Sequence, residues 1–425
     1  MIKSANQLVV SLNKKGSTVL INYQIDEEFN GTIKVLFPFK LIKTNNSTLS
    51  FLGIGATFLL AQYCLAKNIT INFPHSPKMV ESIFPLIKIL YDVRIYSEGM
   101  RKYYYPKIFS ANQFYFTRNK LGVIRKNKKA CLMWSGGLDS TYSLHLLKNN
   151  GYSVIPVHTN INLNLSNSES KAVQRLSKLL HINPIYVKTS FPQQRVIGRY
   201  YSEKFDKSPN FNAIPFGRDF FQTGVALIVA VEQGASNICF GHEYELWKNE
   251  IPLNKKQTIY RNDTQSEYAN VVINNTIQKN ISPDLRIFSP ISSLRKFFIY
   301  QEMVTKYQSE MKYLISCYFG KNCGDCQNCL LYQALYECFY EKDFKESDLI
   351  KLLQKKTIIQ KETFGLLLYY YYQETIHSLL KKRRYLKELK EKFGPYLDLS
   401  KEEIESELLK VHQTKLVPRD FKFKL

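Results

Sequence analysis

The chain has 425 residues, 44% hydrophobic and 22% charged, which excludes a disordered, collagen-like or low-complexity protein. Two or three domains are expected at this length rather than one core. Lys and Arg outnumber Asp and Glu by 59 to 36, a net charge of +23 that sits mainly at the ends: +12 over residues 1–128, +4 over 129–350 and +7 over 351–425. Basic flanks around a near-neutral centre suit nucleic acid or a protein partner; the codon bias of an AT-rich genome would leave the same mark. Eight Cys are too few for a disulfide-stapled secreted chain. The opening MIKSANQLVVSLNKKG has no apolar signal-peptide core. The most apolar stretch, Phe51–Ala66, contains Gln62 and is shorter than the roughly 20 residues a bilayer span needs. It reads as a buried helix, so no membrane span is expected, and a reducing cytoplasm is the expected compartment.

In chain order, Gln7–Leu12 and Ser17–Tyr23 are β-rich runs parted by Lys14-Lys15-Gly16, a hairpin signal. Phe51–Ala66 is helical, Ile69–Phe73 is a short strand, and Ser76 caps a helical pattern that runs to Ile95. These elements predict an N-terminal α/β domain over 1–128, without a chemical motif, that leads into a basic linker, Arg118–Lys129. From Ala130 the pattern becomes strand, Gly-rich turn, helix, strand. Strands are expected at Ala130–Trp134, Tyr152–Thr159, Pro184–Lys188 and Ala235–Phe240, with helices at Ser140–Lys148, Lys171–Leu180 and Thr223–Gln233. Such alternation predicts an α/β fold, a parallel sheet with helices on both faces. Residues 242–285 are polar and show no clear element. From Phe344 the pattern is mostly helical, with Lys381-Lys382-Arg383-Arg384 its densest basic cluster, which gives a helical extension over 341–425.

The strongest chemical signal is Ser135-Gly136-Gly137-Leu138-Asp139-Ser140-Thr141, between a strand and a helix. Glycines free the backbone for close approach, and the helix start offers unpaired N–H groups to a phosphate. Ser135, Ser140 and Thr141 add hydroxyls. Asp139 would repel phosphate directly, so its natural task is to hold Mg²⁺ or orient a donor. The string is neither a Walker A nor a dinucleotide-binding glycine motif.

The second signal is Cys317, Cys323, Cys326 and Cys329 in SCYFGKNCGDCQNC. Four thiolates at this spacing can close a tetrahedral Zn²⁺ site with no open position, hence a structural one. An iron–sulfur cluster and chance clustering of the cysteines are the alternatives. Cys64, Cys131, Cys239 and Cys338 read as ordinary buried thiols.

SGGLDS resembles the PP-loop of the N-type ATP pyrophosphatases, and the loop together with the CGxCxxC knot resembles the 7-cyano-7-deazaguanine synthases, the QueC group, over about 129–340. Ile214-Pro215-Phe216-Gly217-Arg218, Ile238-Cys239-Phe240-Gly241, Arg286-Ile287-Phe288-Ser289-Pro290 and Leu294-Arg295-Lys296 are similar to further segments of that group. The resemblance implies an adenine nucleotide alpha hydrolase-like fold and cleavage of ATP to AMP and pyrophosphate while a carboxylate is adenylated. The carboxylate would be 7-carboxy-7-deazaguanine or a related deazapurine, joined to ammonia or to a macromolecular amine. It also implies a nucleotide site at Ser135, Gly136, Gly137, Leu138, Asp139, Ser140, Thr141, Val157, His158, Thr159, Gly217 and Gly241, with Asp139, Arg218 and Lys296 as catalytic contacts. ATP, Mg²⁺ and Zn²⁺ are the implied cofactors.

Read as single residues, His158 is more often a structural histidine and Lys296 a solvated lysine, while Arg218 fits a structural ion pair with Asp219 or Glu243 as well as it fits a ligand contact. The chain departs from the group where His242-Glu243-Tyr244-Glu245 replaces an Asn-containing stretch. It departs again where Ser266-Glu267-Tyr268-Ala269 stands in place of an Asp-Cys-Arg step. Both changes leave the acceptor open. The extra segments on either side resemble those of QueC-like proteins from bacterial antiphage defence systems such as Qat. Two other functions fit the same residues: an RNA-modifying enzyme with a tRNA-type substrate, or a non-catalytic nucleotide-binding subunit of a defence complex. In the last, Leu366–Tyr372 would be a partner face; the alternative is a core helix.

Overall fold

The computed structural model describes residues 4–98, 105–111, 124–160, 166–191, 195–201, 218–248, 250–254, 257–260, 265–315 and parts of 329–422. The first stretch forms strands β1 (Gln7–Lys15), β2 (Thr18–Ile25) and β3 (Phe29–Leu36), helix α1 (Asn46–Cys64), β4 (Asn68–Asn72), α2 (Pro77–Glu98) and β5 (Lys107–Ser110). The second comprises β6 (Lys129–Met133), α3 (Leu138–Asn149), β7 (Ser153–Thr159), α4 (Ser166–Leu179), β8 (Ile185–Thr189), α5 (Arg195–Tyr201), α6 (Arg218–Gln233) and β9 (Asn237–Cys239). Helix α7 (Tyr244–Lys248), the hairpin β10 (Glu250–Asn254) and β11 (Gln257–Tyr260), α8 (Glu267–Asn280), β12 (Arg286–Phe288), α9 (Lys296–Lys306) and α10 (Gln308–Met311) follow. Near the C-terminus α11 spans Lys401–Leu409.

Ten strands form one sheet in the order β12-β9-β6-β7-β8-β3-β2-β1-β4-β5. The five from β12 to β8 run parallel, as the βαβ alternation predicts. Their sequential ranks along the sheet are 5-4-1-2-3, so the order reverses between β6 and β9. Ligands of open parallel sheets bind at such a switch point, outside the carboxyl ends of the strands. Strand β6 feeds both faces: Ala130 and Leu132 belong to one hydrophobic cluster, Cys131 and Met133 to the other. That alternation is why helices cover the sheet on both sides.

No break in the sheet falls at residue 128. Strand β3 pairs antiparallel with β8 through Val35–Thr189 and Leu36–Lys188. Beside that pairing, the Lys34 N–H donates to Ser190 Oγ (2.8 Å) and the Ser190 N–H donates to the Lys34 carbonyl (2.9 Å). On the α1 side, the Glu232 carboxylate accepts the N–H groups of Lys43 and Thr44 and the Thr44 hydroxyl, at 2.9, 2.8 and 2.6 Å. Helix α1 has the length and hydropathy of a membrane span, but every residue of that window is buried inside the fold. It packs on α6 so closely that a Cβ on Gly224 would sit 2.7 Å from Leu52 Cα. Glycine there is a packing requirement.

The C-terminal extension is likewise part of a shared core: Leu366, Tyr369, Ile404, Leu408 and Phe421 cluster with Trp134, Leu138 and Tyr142 of the central sheet and α3. Leu366 and Tyr369 are thus core residues; Leu367, Leu368, Tyr371 and Tyr372 lie outside the described residues, as do Arg383 and Arg384 of the basic cluster. Residues 242–285, without a clear pattern in sequence, supply α7, the β10–β11 hairpin and α8.

Substituting Gly224→Ala is expected to destabilise the chain by about 1–3 kcal/mol through overpacking against Leu52. Gly394→Ala, where a Cβ would meet nothing within 4 Å, serves as the near-neutral control. Chemical denaturation of the two variants checks this; equal effects would mean that the α1–α6 contact is slack.

Candidate functional site

The switch point brings three segments together: the turn after β6, the turn after β9 and the start of α9. In the first, Gly136 has φ +75°, a left-handed conformation that glycine adopts without strain. A Cβ on Gly136 would also lie 3.0 Å from Ala172 Cβ of α4, and one on Gly137 would lie 3.3 Å from the Ile315 carbonyl oxygen. The missing side chains therefore seat the loop between α4 and the 311–315 turn; the Ile315 N–H donates to the Gly136 carbonyl (3.1 Å). Gly137 opens α3 with extended backbone and no side-chain cap. The Ser135 and Ser140 hydroxyls lie 3.2 Å apart, and the Gly137 N–H donates to Ser135 Oγ (3.3 Å).

Other predicted loop residues build the frame. Thr141 is fully buried and its hydroxyl accepts from the Trp134 indole (3.2 Å). Leu138 is a core side chain. Val157 is buried in β7, and its carbonyl accepts the Trp134 N–H (2.8 Å). His158 Nδ1 faces the Trp134 carbonyl (3.2 Å) and Nε2 faces Ser170 Oγ (2.9 Å). A carbonyl only accepts, so Nδ1 carries the proton and Nε2 accepts from Ser170. Burial lowers the His158 pKa, which keeps the ring neutral. Its geometry is that of a structural histidine tying the loop to α4. Thr159 Oγ1 accepts from Gln222 of α6 (3.1 Å). At Gly241 an added Cβ would come within 2.8 Å of the Ser140 amide nitrogen, so this glycine lets the β9 turn press against the first turn of α3.

The charged centre lies where those turns meet. Lys296 Nζ of α9 contacts Asp139 Oδ2 of α3, across 157 residues of sequence. Glu243 Oε1 stands 4.0 Å from the same ammonium. Lys296 and Glu243 are buried, and the Asp139 side chain keeps 23% of its surface exposed. The single-residue expectation of a solvated Lys296 is thereby corrected. The other Glu243 oxygen accepts the Glu245 N–H (2.7 Å), fixing the carboxylate toward Lys296. Tyr332 faces this group as well. Burial raises its pKa most, Lys296 opposes, and Asp139, Tyr300 and Glu243 add to the rise, so it remains a neutral donor.

Arg218 opens α6 and pairs with its neighbour Asp219 (3.4 Å), one of the two partners expected for it. Both bear on His242, a buried imidazole whose backbone is held by reciprocal hydrogen bonds with Ser289 (3.1 and 2.8 Å). The His242 pKa is lowered to about 4. Burial is the main cause; Arg218 adds to it, while Asp219 and Glu243 pull the other way.

Sequence reasoning missed Glu243, His242 and Tyr332 as site members. The first two follow directly on Gly241 and could have been found there; Tyr332 carries no local signal. Gly217, Cys317, Cys323 and Cys326 lie outside the described residues. Cys329 is buried, and among the described residues no group of three or more His, Cys, Asp or Glu suits a metal ion. The buried thiols Cys131 and Cys239 have raised pKa values, Cys131 up to about 12, which makes them poor nucleophiles. Cys64 is buried too, and Cys338 lies outside the described residues.

His242 gives the fold a pH signature. Between its depressed folded value and the ordinary 6.5, the unfolded chain binds the proton and the folded one does not. Stability therefore falls as pH drops through that window, by about 3 kcal/mol in all. Denaturation curves at pH 7 and pH 4 should differ less in His242→Gln than in the parent chain by roughly that amount; an unchanged difference would mean that His242 is not buried neutral.

Residues 129–339 match the sequence model of the family described as "Queuosine biosynthesis protein QueC". The chain is 26% identical over 217 residues to the 7-cyano-7-deazaguanine synthase of Nautilia profundicola, covering 48% of this chain and 91% of that protein. It is 24% identical over 219 residues to the Campylobacter jejuni protein of the same name, covering 48% and 92%. For the Aliarcobacter butzleri synthase the figures are 25% over 228 residues, 51% and 94%. Each relative is matched over nearly its whole length by about half of this chain, so the remaining half has no counterpart in them. With the doubly wound sheet and the loop at its switch point, these matches identify residues 129–339 as a QueC-like domain of the ATP-pyrophosphatase type.

Proposed function

We propose that this enzyme adenylates a carboxylate with ATP, releasing pyrophosphate, and passes the acyl group to an amine with release of AMP. The observation that carries the reading is the Lys296–Asp139 contact at the uncapped start of α3, beside Glu243. The N–H groups of that helix start suit phosphate oxygens. Two carboxylates against one ammonium leave a net negative charge, and hard oxygen donors fit Mg²⁺. Asp139 and Glu243 would hold the metal, which would neutralise phosphate charge.

In the first step a carboxylate oxygen attacks the α-phosphorus and the bond to the bridging β-oxygen breaks. Lys296 is the cation at hand for the negative charge of the departing pyrophosphate, and Arg218 is proposed to serve the same end. In the second step the amine nitrogen attacks the acyl carbon, loses a proton, and AMP leaves. The neutral Tyr332 hydroxyl can donate to an oxygen held at this centre. By likeness to proteins named 7-cyano-7-deazaguanine synthase, the acid is proposed to be 7-carboxy-7-deazaguanine or a close deazapurine. The departure at His242 and Glu243, next to the nucleotide loop, leaves the amine open: ammonia, or a macromolecular one drawn to the basic flanks. The two flanking segments are the basis for proposing a role in antiphage defence.

Chromatography of nucleotides after incubation with Mg²⁺, ATP, this acid and ammonium should show AMP and pyrophosphate, dependent on the acid. Asp139→Ala should abolish the product and Lys296→Met should lower it about 100-fold or more. ADP in place of AMP would overturn the reading, whereas AMP formed without acceptance of ammonium would point to a macromolecular amine.

Zinc on Cys317, Cys323, Cys326 and Cys329 is proposed from their spacing and thiolate chemistry alone. Metal analysis should find one zinc per chain, and Cys323→Ser should lose it together with several degrees of melting temperature; a metal-free, equally stable parent would refute the site.

A further inference from the structure

Arg295, the residue before Lys296, has 1% of its surface exposed. Its Nη2 donates to Glu407 Oε1 of α11 (2.6 Å), its Nε donates to the Glu407 carbonyl (3.1 Å), and its Nη1 lies 3.7 Å from Glu245 Oε1 of α7. The guanidinium stands over the Tyr244 ring (5.2 Å), which stacks on His412 with centroids 3.6 Å apart. Backbone bonds follow the same path: the Tyr244 N–H donates to the Leu294 carbonyl (3.0 Å) and the His412 N–H to the Ser293 carbonyl (2.8 Å). Three distant stretches, 244–245, 293–296 and 407–412, are thus pinned on one guanidinium. The first two belong to the QueC-like domain; the third lies beyond its last matched residue, 339.

A buried guanidinium needs its counter-charges, because burial in low dielectric penalises any charge left unpaired. Glu407 is the nearer of the two. Burial pushes the Glu407 carboxyl up, but the hydrogen bonds and charges of Arg295 and Lys410 outweigh it and leave the carboxyl below the usual carboxylate value. Arg295 is also the N-cap of α9, where it makes no capping bond and where the helix dipole disfavours a cation. The start of α9 is therefore held by the contacts of Arg295, and the first residue of α9 is Lys296.

We infer that Glu407 is a positioning residue: through Arg295 it fixes Lys296 against Asp139, so that the C-terminal segment around α11 completes the site of the QueC-like domain. This inference rests on the proposed role of Lys296 in ATP cleavage.

Two readouts on the full-length chain test it. The first is AMP formation, as kcat and KM for ATP. The second is the rate at which acetic anhydride labels Lys296, read by peptide mass spectrometry with Lys107 of β5 as internal control. Glu407→Gln should lower kcat ten-fold or more with a smaller change in KM, and should speed Lys296 labelling at least three-fold without affecting Lys107. Glu407→Asp should recover most of both. His412→Ala, which removes the ring that stacks on Tyr244 and stands 3.9 Å from Glu407 Oε1 while leaving Glu407 and Arg295 in place, should move both readouts in the same direction to a lesser degree. Unchanged labelling in Glu407→Gln, whether or not AMP formation falls, would overturn the inference. If the parent chain itself forms no AMP, the adenylation reading fails, and labelling alone still decides whether Glu407 positions Lys296.

Discussion

A lysine ammonium stays buried only beside negative charge, and the site is organised around meeting that condition. Lys296 has Asp139 in contact and Glu243 at 4.0 Å, contributed by two turns that leave the sheet at its switch point. Bringing those turns so close requires Gly241, whose lack of a Cβ lets the β9 turn rest on the first turn of α3. One cation, two carboxylates and an uncapped helix start are then in place before any ligand arrives. Pre-set charge of this kind needs little reorganisation when phosphate charge develops, which is where electrostatic catalysis gains most.

The two flanks of the QueC-like domain are joined to it through the fold. The β3–β8 pairing extends the five parallel strands into a ten-stranded sheet, and α1 and α6 meet at van der Waals contact over Gly224. On the other face, side chains from 366–421 share a core with α3 and α9. Basic residues of the first stretch such as Lys14 on β1, Lys34 on β3 and Lys107 on β5 thus sit on the same sheet as the site.

Local chemistry was legible from residues alone. The strand–glycine–helix turn at 133–141, the hairpin around Gly16 and the burial of α1 each follow from neighbours within a few positions. What escaped was long-range. Arg295 and Glu407 are 112 residues apart, and neither carries a mark of burial in sequence. Strand β3 contains Gly31 and meets β8 in only two residue pairs, too little to announce a merged sheet. Lys296 looked solvated because burial of a lysine depends on carboxylates that only the fold assembles. The 242–285 stretch looked structureless because polar side chains such as Asn270 and Asn274 serve there as buried hydrogen-bonding partners, with Asn274 accepting the Ile287 N–H at 2.9 Å.

In the proposed function, the charged centre at Asp139, Glu243 and Lys296 serves cleavage of ATP between its α and β phosphates. Exchange of labelled pyrophosphate into ATP tests that bond directly, because label returns only if an acyl-adenylate forms reversibly. Exchange is expected to require both Mg²⁺ and a carboxylate substrate and to disappear in Lys296→Met. Adenylation without the lysine, or label entering ATP with no acid present, would contradict that function.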